Sequence, residues 1–393
     1  MRAIANRIGL VTMIVFAACG PLFGQAPAGP QIPAPGTQMQ QAPAVSPKKL
    51  VSRVTLVNTP VTVRDARGQM VTSLAAKDFR ITDQGVPQTI SHFDVGGDPI
   101  SLVVLYETSS RIEPLLPALQ KTGILISETV MGPTGEAAIL GFNDSVDHLL
   151  DFTNNADQVL KTVARLKLGT SGAKLYDAMA AGVEMLSTRP ESAVGRSAPD
   201  TPDRPAREGR RRVLLVISEA RDDGSEAKLG EVLRQAQLSN VTIYSVGLST
   251  TRAELQQKPQ DNRVKISPPG TYPLPPIPGT PPRPAESDPR LSGNADLMAA
   301  IIWAVSHAKN EVTGNPLELA TAGTGGEHIP TFKDRSIENA IDEIGGELHS
   351  QYTLSYSPAG TSENGFHEIK VSVDRKGLKV RARPGYYLAP PEG

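Results

Sequence analysis

From residue 100 onward the chain alternates short apolar runs with amphipathic stretches. Leu102–Tyr106, Ala137–Phe142, Val213–Ile217 and Val241–Val246 are rich in aliphatic residues with little polar alternation, the pattern of strands covered on both faces. Between them Ile112, Leu115, Leu116, Leu119 and Ile126 recur at helical spacing, and 157–166 predicts a short helix. Leu175–Leu186 predicts another, with Met179, Val183 and Leu186 on one face, and 226–238 a further one. Ile337–Leu348 closes the series, with Ala340, Ile341, Ile344 and Leu348 on one face. Strands alternating with helices predict an α/β fold with a mostly parallel sheet between helices.

The flanks read differently. Residues 51–95 alternate as strands do, through Val54, Leu56, Val61 and Val63 to the turn Asp65-Ala-Arg-Gly68, then through Phe79 and Ile81 to a second turn at Asp83-Gln-Gly85. Tyr352–Tyr356, His367–Val373 and Leu378–Tyr387 are strands at the other end. Each set is too short to stand alone, so the N- and C-terminal strands are expected to form one small β module. The resulting plan is 1–25 as a signal segment, 26–48 as a Pro/Gln/Ala-rich tether, 49–97 as the N-terminal β module, 98–349 as the α/β domain and 350–388 as the C-terminal strands. Two polar, Pro-rich insertions, 189–211 and 251–290, are expected to be disordered surface loops; the simplest role of the second is an extended spacer. A helix around 295–309 carries the only tryptophan, Trp303.

Composition narrows the function classes. The 40 basic and 41 acidic residues give a net charge of −1, which argues against nucleic acid or an anionic membrane as partner. Aromatics are 4% of the chain, so the core is aliphatic. Arg2 and Arg7 precede the apolar run Ile8–Ala18, too short to span a bilayer, for which about 20 residues are needed. The pattern predicts export to the periplasm, outer envelope or exterior, with no transmembrane span in the mature chain. Cys19, the only cysteine, lies in Phe16-Ala-Ala-Cys19-Gly20, which resembles a bacterial lipobox with Phe16 in place of the usual aliphatic residue. Lipidation at Cys19 and ordinary cleavage near Gly24 or Ala26 are both open readings; neither leaves a disulfide.

Catalytic signatures are lacking. The chain has no Gly-x-Ser-x-Gly and no His-Glu-x-x-His, and Gly325-Gly326 is not followed by Gly-Lys-Ser/Thr. The six histidines lack ligand spacing. The expected class is a non-enzymatic binding protein; a secreted hydrolase would need a Ser-His-acid set assembled in space.

Three stretches carry a resemblance: "VTVRDARGQMVTSLAAKDFRITDQGVPQTISHF", the α/β core opening on Ser101-Leu-Val-Val-Leu-Tyr-Glu107-Thr-Ser109-Ser-Arg111, and "ELHSQYTLSYSPAG…GFHEIKVSVDRKGLKVRARPGYY". Together they resemble exported proteins of the acidobacterial type related to the von Willebrand factor A (VWA) domain. The resemblance covers residues 50–388 apart from the insertions. It implies a doubly wound, Rossmann-like sheet with a binding face at the carboxyl ends of its strands. It further implies a metal-ion-dependent adhesion site built from Asp, Ser, Ser, Thr and Asp. Here those positions are Glu107, Ser109, Arg111, Ala173 and Glu219; "AKLYDAM" and "VLLVISEA" place the last two.

The substitutions change the chemistry. Mg²⁺ and Ca²⁺ take hard oxygen ligands, and Mg²⁺ tolerates little error in distance. Glu for Asp adds a methylene, Ala173 offers no oxygen, and a guanidinium neither ligates nor loses its proton. The expectation is therefore a site without metal or other cofactor, in which Arg111 pairs with Glu107 or Glu219. The alternative is a metal-dependent adhesin using a rearranged site, with Thr170 and Ser171 supplying substitute hydroxyls for weak Mg²⁺ or Ca²⁺ binding. The expected partner is a protein, met at the rim formed by 107–111, 171–174 and 219–223, with Asp222 and Asp223 as further contacts.

Overall fold

The computed structural model describes residues 56–96, 98–189, 210–249, 315–331, 334–358 and 365–388. The expected signal segment with Cys19, the expected tether, the helix predicted at 295–309 and almost all of both expected insertions lie outside the described residues.

The first strands are β1 (Val57–Arg64), β2 (Phe79–Asp83), β3 (Val86–Gln88) and β4 (His92–Val95). The α/β part opens with β5 (Ile100–Glu107), followed by α1 (Leu116–Leu119), α2 (Gly123–Leu125), β6 (Glu136–Phe142) and β7 (Val146–Thr153). Next come α3 (Ala156–Val163), α4 (Leu175–Ser187), β8 (Arg211–Ser218), α5 (Leu229–Leu238) and β9 (Val241–Gly247). The chain continues with α6 (Pro316–Thr324), β10 (His328–Pro330) and α7 (Asp334–Leu348), and ends in β11 (Tyr352–Tyr356), β12 (Gly365–Val373), β13 (Lys379–Ala382) and β14 (Gly385–Leu388).

Six strands form the central sheet in the order β10-β9-β8-β5-β6-β7. All pairings are parallel except β6 with β7. Every residue of β5 is buried, because helices cover both faces of the sheet. On one face Leu102, Val104 and Tyr106 pack with Ile126, Val159 and Ile341; on the other Val103 and Leu105 pack with Met179, Leu233 and Leu317. The chain winds outward from β5 in both directions, so the strand order reverses between β5 and β8, where open α/β sheets place their sites.

Several elements depart from the sequence pattern. The single helix predicted after β5 is instead a 3-10 turn (Ser110–Leu115), two short α segments and a π turn (Ile126–Met131). Pro114 and Pro117 remove backbone donors, so a regular ladder cannot run through. The edge strand β7 was not expected, since one of its faces meets solvent. The first insertion ends earlier than 211: β8 already begins at Arg211, which pairs with Ile100.

The flanking strands make two antiparallel sheets rather than one, ordered β13-β1-β11-β4 and β14-β12-β2-β3. Both mix N- and C-terminal strands, so neither end of the chain completes a sheet alone. Phe79, Phe93 and Tyr352 pack together between them, with ring centroids 5.0–5.7 Å apart. Asp83 ties the two sheets: its Oδ2 accepts from Tyr356 at 3.0 Å and Tyr386 at 2.8 Å.

Candidate functional site

Three loops meet at the carboxyl ends of β5 and β8. The first follows β5 and carries Glu107, Ser109 and Arg111. The second, 169–174, enters α4. The third, 219–228, follows β8. Backbone bonds lace them together: Gly169 N–H donates to Thr108 O at 2.7 Å, Ser110 N–H to Thr170 O at 2.9 Å, and Asp223 N–H to Ala173 O at 2.8 Å.

Glu107 lies at the floor of this site with its side chain fully buried. Its Oε1 accepts from Ser109 Oγ at 2.6 Å, and its Oε2 accepts from Ser218 Oγ at 2.8 Å and the Glu219 N–H at 2.9 Å. A buried carboxylate is tolerated when its lone pairs are met in this way. Ala220, one residue on, adopts φ +61°, and its N–H donates back to Ser218 Oγ at 3.0 Å.

Arg111 lies above Glu107, with its side chain 21% exposed. Its guanidinium spans three carboxylates: Asp223 at 2.8 Å from Nη1, Glu107 at 3.3 Å from Nη2 and Glu219 at 3.4 Å from Nε. Nη1 also donates to the Ser171 carbonyl. One side chain therefore joins all three loops. Arg221 adds a second guanidinium to Asp223 at 3.0 Å.

The remaining positions divide by role. Ala173 is wholly buried in the apolar core beneath α4 and presents only a methyl group. Thr170 Oγ1 is engaged with Asn143 Oδ1 at 3.0 Å and the Asp144 N–H at 3.3 Å. Ser171 meets Arg111 through its backbone. Asp222 faces away from Arg111: it accepts from the Tyr176 N–H at 3.1 Å and from Ser225 Oγ. It thereby caps α4, whose own N-cap, Lys174, makes no side-chain cap bond. Asp177 Oδ1 accepts from the Ala227 N–H at 2.8 Å, fixing the third loop to the same helix. Sequence reasoning named Glu107 and Glu219 as partners of Arg111; the shortest ion pair goes to Asp223. Two acidic residues in Arg221-Asp222-Asp223 are alike in sequence, and only the fold separates the cap from the ion pair.

Among the described residues no group of three or more His, Cys, Asp or Glu is arranged to hold a metal ion, and no helix is long and apolar enough to cross a membrane. Ser245 Oγ and His328 Nδ1 are 2.8 Å apart, but Ser245 is wholly buried and the other ring nitrogen lies 3.2 Å from the Asn315 amide.

One family of known proteins matches part of this architecture. The family of the von Willebrand factor type A domain matches residues 122–267, a span that includes Ala173 and Glu219 and begins beyond Glu107 and Arg111. No curated protein matches the chain. Among solved structures, a von Willebrand factor type A protein from Catenulispora acidiphila is 7% identical, with a TM-score of 0.41 over 86% of this chain and 75% of that one. An aerotolerance-related membrane protein from Bacteroides fragilis, bearing multiple mutations to serine, is 15% identical, with a TM-score of 0.36 over 63% of this chain and 98% of that one. The conserved hypothetical protein BatB from Bacteroides thetaiotaomicron is 13% identical, with a TM-score of 0.33 over the same shares. Family match and sheet topology together identify a VWA domain within residues 122–267, carried by a VWA-type α/β fold with additional antiparallel sheets.

Proposed function

We propose that this protein is an exported, non-enzymatic protein-binding module of the cell envelope, and that its rim works without a cation. One observation carries the second part: the Arg111 guanidinium spans Glu107, Glu219 and Asp223. The donor set does not fit Mg²⁺ or Ca²⁺. A cation entering there would meet a fixed positive charge, find a methyl group at Ala173, and compete for carboxylate oxygens that already accept hydrogen bonds. Of the two substitute hydroxyls that a rearranged site would draw on, that of Thr170 is engaged by Asn143 and Asp144, and Ser171 meets Arg111 through its carbonyl.

In a metal-bound site the ion draws the loops together. Here Arg111 and the backbone bonds perform that task, so the rim is organised before any partner arrives, and preorganisation lowers the cost of binding. The support for export is the basic and apolar N-terminal pattern with Cys19. The support for a non-enzymatic role is the burial of Ser245 and the lack of catalytic sequence signatures.

A photo-crosslinking residue at Ser171 or Asp144 tests the reading in envelope fractions treated with EDTA. The expected result is one discrete adduct at the rim that persists in the chelator and is lost in Asp223→Lys. Adducts that vanish with EDTA and return with Mg²⁺ would contradict cation independence, and an absence of any discrete adduct would contradict the binding rim. Fractionation of wild type and Cys19→Ala tests export and separates the two leader readings: release from the membrane fraction by the variant means a lipid anchor, an unchanged distribution outside the cytoplasm means free secretion, and retention in the cytoplasm contradicts export.

A further inference from the structure

At the opposite end of β8 from Glu107, three consecutive arginines open the strand: Arg210, Arg211 and Arg212. They line a cavity of about 60 Å³ between the central sheet and the flanking strands, together with Arg383, Gln237, Asn58 and Asp98. Four arginines and one carboxylate thus belong to the lining. Arg210 is committed to Glu136 at 3.5 Å and Ser101 Oγ at 3.1 Å. Arg212 donates to Ser239 O at 2.7 Å, and Arg383 to Asn240 Oδ1 at 3.1 Å.

Arg211 is different. Its Nη1 donates to Leu348 O at 2.7 Å, while its Nε and Nη2 are buried with no hydrogen-bond partner in the protein. Burial pulls its pKa down, with Tyr244, Asp98 and Asp94 opposing the shift. A buried guanidinium with open donors is costly, and so are two buried acceptors of the same lining, Gln237 Oε1 and Asn58 Oδ1. Unpartnered cationic donors and unpartnered neutral acceptors in one lining suit a ligand that is anionic and also carries a hydrogen. The cavity volume is several times the ~10–15 Å³ that a single water requires.

We propose that this cavity binds a small protonated oxyanion of the phosphate class, held by Arg211 and donating its hydroxyl to Gln237 or Asn58. Phosphate near neutral pH has both functions; sulfate has the charge without the hydrogen. Because Asn58 and Arg383 belong to the flanking strands and Arg211 and Gln237 to the α/β part, the bound ion fastens one to the other.

The test is thermal unfolding of the full chain in inorganic phosphate, sulfate or chloride at matched ionic strength, with equilibrium dialysis of labelled phosphate to count sites. The expected result is one bound phosphate per chain and a midpoint that rises with the logarithm of phosphate concentration. The shift should be smaller in sulfate and absent in Arg211→Met. Should that variant fail to fold, Gln237→Leu serves instead and is expected to bring the phosphate response down to that of sulfate. Equal midpoints in phosphate and chloride with no dialysed phosphate would mean that the cavity holds water only and would overturn the proposal. An equal shift in Arg211→Met would overturn the role of Arg211, and equal phosphate and sulfate responses in wild type would overturn the choice of a protonated anion.

Discussion

Two arginine–carboxylate clusters are built around a buried glutamate, and they satisfy it by different means. At the rim, one arginine serves three carboxylates: Arg111 with Glu107, Glu219 and Asp223. At the seam between the central sheet and the flanking strands, two arginines converge on one carboxylate. Glu347 of α7, 1% exposed, pairs with Arg381 of β13 and with Arg64 of β1 at 3.1 Å, and accepts from Tyr244 Oη at 2.8 Å. Arg381 and Arg64 also reach Glu327, at 3.0 and 3.4 Å, and Arg64 reaches Glu343 at 3.1 Å. Both clusters set two arginines among three carboxylates, and Arg111, Arg64 and Arg381 are similarly exposed, at 21%, 23% and 24%. The difference lies at the buried carboxylate: Glu347 takes two guanidinium groups and a phenol, whereas Glu107 takes one guanidinium and three neutral donors, the Ser109 and Ser218 hydroxyls and the Glu219 N–H.

Within the seam, two neighbouring carboxylates move in opposite directions. Burial pulls Glu347 upward, but Arg381, the Tyr244 hydroxyl, Glu327 and Arg64 outweigh it and hold the carboxyl below its ordinary value. Glu327 moves the other way, through burial and the neighbouring Glu347 charge, against Arg381 and Arg64.

The largest expected effect of breaking either cluster is at the seam. Glu347→Ala removes the buried carboxylate that Arg381 and Arg64 share and leaves them only the more exposed Glu327 and Glu343; removing one partner of a buried pair costs about 3–5 kcal/mol, and chemical denaturation of the variant measures it. Glu107→Ala comes next, at about 2–4 kcal/mol, because it orphans the Ser109 and Ser218 hydroxyls and the Glu219 N–H together. Arg111→Ser should cost only about 1–2 kcal/mol, since its side chain is partly exposed and its partners reach water once it is gone. A Glu347 loss no larger than that of Arg111 would erase the distinction between the clusters.

Acid sharpens the comparison through its sign. A carboxyl held low in the folded state contributes stability that is complete above its unfolded pKa and is lost as pH falls through the folded value. Stability should therefore fall as pH drops below about 4, the ordinary glutamate range, and this part of the fall should vanish in Glu347→Gln. The smallest effect concerns Ala220: glycine at its positive φ removes a steric cost of about 1 kcal/mol, so Ala220→Gly should shift stability by no more than that while leaving the rim intact.

The sequence made the α/β core legible because its strands are buried on both faces and read as plain apolar runs. Strand β7 escaped because it lies at an edge and reads Val-Asp-His-Leu-Leu-Asp-Phe-Thr, with neither a clean alternation nor a continuous apolar run. The helical spacing of Ile112 to Ile126 gave the correct buried face but not the interruptions that Pro114 and Pro117 impose. At the rim, Glu107, Arg111 and Glu219 were found because a known motif has slots for them. Asp223 could not be told from Asp222, since which carboxylate faces Arg111 depends on the turn at Ala220. Glu347, Arg381 and Arg64 were invisible for a simpler reason: they meet only in three dimensions, and no local pattern marks a charged residue of an amphipathic helix as buried.

The most direct test of a tethered cation at the rim is thermal unfolding with EDTA, Mg²⁺, Ca²⁺ and Mn²⁺, on wild type and on Arg111→Ser combined with Ala173→Thr. The wild-type midpoint should not move among these conditions, whereas the double variant, with its arginine removed and a hydroxyl supplied, should gain a divalent-cation shift by mass action. A wild-type midpoint that rises with a divalent cation and falls with EDTA would contradict the account.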